Sequence, residues 1–470
     1  MVVPENLGQV GAAVGYPLAM QPEARSFGFL MSRESRCGDT SEGAFDVDAF
    51  TGSLVLQNPA KLDAATCSSH RLFVGSFSKR YSTEWRAMQA QGSTAQTYWE
   101  LDHGLNIDPA SMDLYSELRC KSSDNAGYVF KPHSVPPSTD YPQQFSSTIF
   151  NKPFGGHFSF WSATQVRTYL PSPGFLSTST AFDVRRPTAC YIPENYGKGK
   201  HSMPRDNNAD VRIRIDRVSK TPAYDSGWSA MQSGGFDNSY RVFPHGLTEL
   251  PDRIRVLMRA ETTSTNGVGM HTECARVAPV TDGNTYFWGG CVFAFDGESV
   301  YVWLPHRNDG NWNMYAFHNY YWGGNQRLFL SNLASVRVQA WSGLRKPDFQ
   351  SDWLRMVSGD KESELSFRQI THGLATLPER VDVAVRASSA SSAGGFMYFG
   401  TSGMYGGSGV DDTGIIQAFN EEFIRLWAPN DQGRAAFVKD GWGREQNTFE
   451  VATVDVQVRA WRLNYEAEHS

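Results

Sequence analysis

Histidine is the side chain best placed to move protons near neutral pH. Three of the eleven histidines share one context: His103-Gly104-Leu105, His245-Gly246-Leu247 and His372-Gly373-Leu374. Each follows a tryptophan (Trp85, Trp228, Trp353) by about eighteen residues. A base used three times would need a nucleophile or carboxylate at a second fixed position. No Ser, Cys or Glu keeps such a register in all three places. A turn explains the residues better. Gly permits a positive φ, Leu plugs the core, and Pro109, Pro251 or Pro378 starts a strand where no ladder donor is needed. His103, His245 and His372 are therefore expected to bridge backbone groups, and no enzymatic activity is expected.

One tripeptide has a chance of roughly 10⁻⁴ per position, so three copies inside one larger pattern mark a tandem array. The first copy runs from about Tyr81 to Arg217 and closes on the alternating Val211-Arg212-Ile213-Arg214-Ile215, with its excess length between Pro132 and Pro204. The second runs from Tyr224 to Trp341 and the third from Phe349 to Arg462, with links of only a few residues near 219–222 and 343–347. In Val454, Val456 and Val458 one strand face is β-branched, while Asp455, Gln457 and Arg459 face the other way. Period two with one apolar side predicts antiparallel sheets packed as sandwiches. Short links predict neighbours held in a semi-rigid row.

Aromatic residues near glycine are the candidate ligand platforms. Trp322 and Trp442 precede glycines before the last strand of their copies, and Tyr196 holds the equivalent place in the first. Exposed there, they could stack on a sugar face; otherwise they cap a sandwich edge. The elements Tyr169-Leu170-Pro171, Trp303-Leu304-Pro305 and Trp427-Ala428-Pro429 are expected to place core aromatics at strand ends.

Composition narrows the function. The net charge is −6 and no stretch concentrates Lys or Arg, which argues against nucleic acid and anionic membrane. Aromatics reach 13 % with 43 Gly, the profile of short strands and Gly-rich turns. No window is apolar enough to span a bilayer, and no secretory signal is visible in the first twenty residues, as expected of a processed or excerpted chain. The six cysteines segregate with the copies, which predicts disulfides Cys37–Cys67, Cys120–Cys190 and Cys274–Cys291 in an oxidising compartment.

Residues 1–78 read differently. Pro4-Glu5-Asn6, then Phe45-Asp46-Val47-Asp48 with Thr51-Gly52, then Leu62-Asp63 stand in the order of a cadherin repeat, which this segment resembles. The resemblance implies a calcium junction, for which only Glu5 and Asp63 remain; Ala64-Ala65 replace its Arg-Glu. Two carboxylates do not supply six oxygens, so no cofactor is expected. From Ser226-Gly227-Trp228 to Val256 the long repeat resembles the H-type lectin module, a six-stranded antiparallel sandwich. That resemblance implies the fold more than a sugar specificity.

The expectation is an all-β chain of tandem antiparallel β-sandwich domains in a row: cadherin-like 1–78, then lectin-like repeats 79–218, 223–343 and 348–463. Its expected work is adhesion or structural assembly outside the cell or at its surface. The expected partners are other extracellular or self-assembling protein chains, met through divergent loops after Pro132, at Asn308–Trp312 and at Gly400–Asp412. A multivalent lectin for glycans is the alternative, and an enzyme comes third.

Overall fold

The computed structural model describes residues 27–30, 45–47, 54–56 and 73–76, and then most of 81–462. Outside it lie short gaps and the stretches 132–154, 173–188, 262–268, 275–286, 307–312, 324–329, 388–395, 400–413 and 430–434. Two compact units divide the chain, one holding residues 1–81 with 215–219 and the other 82–214 with 220–470. In the first unit β1 (Phe27–Leu30) pairs antiparallel with β4 (Phe73–Ser76), and β2 (Phe45–Val47) with β3 (Leu54–Leu56).

The three long copies fall in the second unit, apart from Tyr81 and the end of the last strand of the first copy, from Ile215 on. The first begins with β5 (Tyr81–Ser82), β6 (Arg86–Gln89) and β7 (Tyr98–Asp102). It continues with β8 (Met112–Cys120), β9 (Val129–Phe130), β10 (Phe158–Trp161), β11 (Gln165–Tyr169) and β12 (Asn208–Arg217). The second copy has β13 (Tyr224–Asp225), β14 (Ser229–Gln232), β15 (Tyr240–Pro244), β16 (Arg253–Ala260) and β17 (His271–Glu273). After β18 (Phe287–Gly289) come β19 (Val292–Phe295) and β20 (Ser299–Trp303). Three short strands, β21 (Asn313–Tyr315), β22 (Phe317–His318) and β23 (Leu330–Ser331), precede β24 (Leu333–Trp341). The third copy has β25 (Phe349–Gln350), β26 (Leu354–Val357), β27 (Phe367–Thr371), β28 (Arg380–Ala387) and β29 (Met397–Phe399). It ends with β30 (Ile416–Phe419), β31 (Phe423–Trp427), β32 (Ala436–Val438), β33 (Phe449–Val451) and β34 (Thr453–Trp461).

Alternation decides which side of each strand is buried. Val454, Val456 and Val458 of β34 are fully enclosed, as are Val336 and Val338 of β24. Each contributes roughly 1.5–3 kcal/mol relative to an exposed valine. The all-β class with tandem sandwich units holds: most of the strands form three antiparallel sheets of eight.

The arrangement goes beyond a row. One sheet runs β13-β24-β16-β17 from the second copy straight into β10-β11-β7 of the first. Another joins β25-β34-β28-β29 of the third copy to β19-β20-β15 of the second. The last joins β12-β8-β9 of the first copy to β30-β31-β27 of the third. At the joints Trp161 faces His271, Phe295 faces Met397 and Phe419 faces Val129. The first and third copies therefore pair directly, and the row closes into a ring. Cores fuse with the sheets: Val256, Met258 and Phe293 of the second copy pack in one cluster with Phe158 and Tyr169 of the first and Phe399 of the third.

Candidate functional site

The three histidine turns are built alike. Gly104, Gly246 and Gly373 have φ of +57°, +61° and +63°, the left-handed region that glycine tolerates. The N–H groups of Leu105, Leu247 and Leu374 donate to Nδ1 of His103, His245 and His372 at 3.3, 3.2 and 3.2 Å. With Nδ1 accepting, the proton sits on Nε2, which faces the carbonyl of Asp296 in the second copy and Asn420 in the third, at 3.3 and 3.1 Å. In the first copy the His103 ring meets the equivalent backbone group of Ser162. Burial pushes the pKa of His103 and His372 down, which favours this neutral, doubly engaged ring.

The glycine-flanked aromatics lie elsewhere than exposed loops. Tyr196, Trp322 and Trp442 are 2 %, 0 % and 1 % exposed, so none offers a ring face to a sugar. Each instead forms a latch onto a different copy. The backbone of Trp322 bridges Pro171, that of Trp442 bridges Pro305, and that of Tyr196 bridges Pro429. The next residue seals the contact. Gly323, Gly443 and Gly197 donate their N–H to the carbonyls of Leu170, Leu304 and Ala428 at 2.9, 2.9 and 3.0 Å. Phe158 meets Trp322 edge-on with centroids 5.0 Å apart. The physical reason is hydrophobic: a large ring beside a neighbouring copy's apolar strand end is better buried than wet.

The repeat-marking tryptophans each take a cation–π contact inside their own copy. Trp85 lies under Arg119 and Arg212, at 4.3 and 4.5 Å from the ring centroid. Arg259 covers Trp228 at 4.5 Å and Arg386 covers Trp353 at 4.1 Å. The sequence alone offered no signal for the pairing.

A charged cluster occupies the place where β8, β16 and β28 of the three copies approach one another. Arg253 grips Asp113 with both guanidinium nitrogens at 2.8 and 2.6 Å, and Arg255 adds a bond of 2.7 Å. Burial alone would raise the Asp113 pKa; the flanking Arg253 and Arg255 outweigh it and hold the carboxyl well below the usual range. Asp382 pairs with Arg380 of its own strand and with Lys131 of the first copy. Arg214 meets Glu117 at 2.7 Å and reaches Glu379 of the third copy at 3.4 Å. Every cation here already has an anionic partner, so the arrangement positions copies more readily than it binds a ligand.

Two disulfides are present, Cys120–Cys190 and Cys274–Cys291, with Cα separations of 6.0 and 4.9 Å. They point to folding outside the reducing cytoplasm. Cys37 and Cys67, and the calcium-type positions Glu5 and Asp63, lie outside the described residues. Among the described residues no group of three His, Cys, Asp or Glu could hold a metal, and no helix is long and apolar enough to cross a membrane. Neither a known protein family nor any curated protein matches this sequence.

Proposed function

We propose that this is a non-catalytic extracellular adhesion or structural-assembly protein, and that its three lectin-like copies act together as one binding head. One observation carries the reading: equivalent strands in the three copies are joined by segments of very different sequence. Residues 131–157 join β9 to β10 and are rich in Pro and Ser. The equivalent 274–291 is closed by a disulfide, and 400–415 is rich in Gly. A shared framework with divergent connecting segments suits recognition of protein partners through different faces. The multivalent-lectin alternative loses Tyr196, Trp322 and Trp442 as stacking residues, because all three are core. The cadherin-like likeness of residues 1–78 supports the same extracellular setting. Replacing 400–413 by a short Gly-Ser linker is the test. Loss of cell-surface or self-association binding with an unchanged melting temperature supports the reading. Micromolar binding to a simple sugar that survives the replacement overturns it.

A further inference from the structure

We infer that the charges at the centre of the ring specify which copies sit together, so that the ring closes within one chain and not between chains. The backbone contacts at the three seams do not discriminate. Each seam has one strand joint and one aromatic-glycine latch of the same geometry. No disulfide among the described residues crosses a seam, since Cys120–Cys190 and Cys274–Cys291 each stay inside one copy. By framework alone, a copy from a second chain could fill any place.

The central residues do discriminate. Ten positions after each turn histidine stand Asp113, Arg255 and Asp382, and all three are buried. In the native ring Arg255 of the second copy meets Asp113 of the first at 2.7 Å. A ring of three first copies would gather three Asp113 carboxylates without Arg253 or Arg255, and a ring of three second copies would gather three Arg255 without Asp113; Asp382 carries its own partner Arg380, so the discrimination rests on the first and second copies. Like charges buried together without counterions are strongly unfavourable. Repulsion against the wrong neighbour is how such interfaces gain specificity.

A second feature shows the first and second copies adapted to each other. At each seam an arginine caps a backbone carbonyl of the neighbouring copy. Arg214 caps Glu379 at 2.6 Å and Arg459 caps Asp252 at 3.3 Å. The second copy has Gln339 where these arginines stand. There Arg255 on the adjacent strand caps Ala110 instead, with Gln339 Oε1 accepting from it. The guanidinium has moved one strand over and kept its task.

The test uses the full chain, refolded at high concentration and sized by light scattering, with a urea titration beside it. Wild type should return as one-chain particles. Arg255→Asp, which puts three carboxylates at the centre, should lose the one-chain form to multi-chain species or unfolded chain. Adding Asp113→Arg to that variant restores opposite charges across the seam and should recover one-chain particles and part of the lost urea midpoint. Wild type refolding into multi-chain rings would overturn the inference. So would a double variant no better than Arg255→Asp, including one in which both fail to fold.

Discussion

A methyl group added to Gly323 would sit 2.7 Å from Cδ1 of Tyr169, a residue of another copy. The glycine is thus the floor of a seam. Its φ of +64° compounds the constraint. Gly323→Ala should cost about 2–4 kcal/mol, from backbone strain and overpacking together. Gly197→Ala, which would meet Trp427 at 2.5 Å, should behave alike. Urea titration measures both; midpoints equal to wild type would remove the latch from the account of stability.

Trp322 and Trp442 are wholly buried. Truncating either to Ala should destabilise the chain by roughly 3–5 kcal/mol, the usual cost of emptying a large core site. A stacking residue on an open loop would change stability little. Thermal melts of the two variants distinguish these outcomes, and near-wild-type melting would return both residues to the surface.

The joint residue His271 should make the second copy's seam acid-sensitive. Burial, with Arg259 on the neighbouring strand, brings its pKa down to about 4 against the backbone of Gly269, Asp108 and the backbone of Trp161. The Trp228 ring packs beside it at 5.3 Å. An unfolded histidine takes its proton near pH 6.5, so acid favours the unfolded chain. The contribution, about 3 kcal/mol, is complete above pH 6.5 and lost as pH falls to about 4. The equivalent residues elsewhere are Met397 and Val129. His271→Met should therefore flatten stability between pH 7 and 4.5, and unchanged slopes in both proteins would count against the assignment.

His372→Ala removes the acceptor for the buried Leu374 N–H and the donor to Asn420. A loss of about 1–3 kcal/mol is expected from the orphaned groups. His245→Ala should lose a similar amount, because its turn has the same bonds. Stability curves for the two variants read this directly; a histidine without structural work would leave them in place.

Reducing Cys120–Cys190, whose cysteines are 70 residues apart, should cost about 4 kcal/mol in loop entropy, against about 3 kcal/mol for Cys274–Cys291, 17 apart. Neither reduction should change the one-chain mass, since each bridge lies inside one copy. Serine variants sized and melted under the same conditions check both statements.

Local periodicity made the strands, the three copies and the histidine turns legible in the sequence. Alternation in Val454, Val456 and Val458 needs only neighbouring residues, and a positive-φ glycine after His372 is a local demand. The two disulfides could be assigned because each pair falls within one copy. Partners across copies carry no such signal. Tyr196 and Pro429 meet although more than two hundred residues separate them, and nothing near either marks the other. Both halves of every latch were visible as motifs, yet an aromatic beside glycine has the same local pattern whether it faces solvent or a neighbouring copy. Short linkers suited a row as well as a ring. The pairing of β9 with β30, and of Asp113 with Arg255, depended on where whole sheets could extend to satisfy their edges and bury their charges, a balance only the tertiary structure decides.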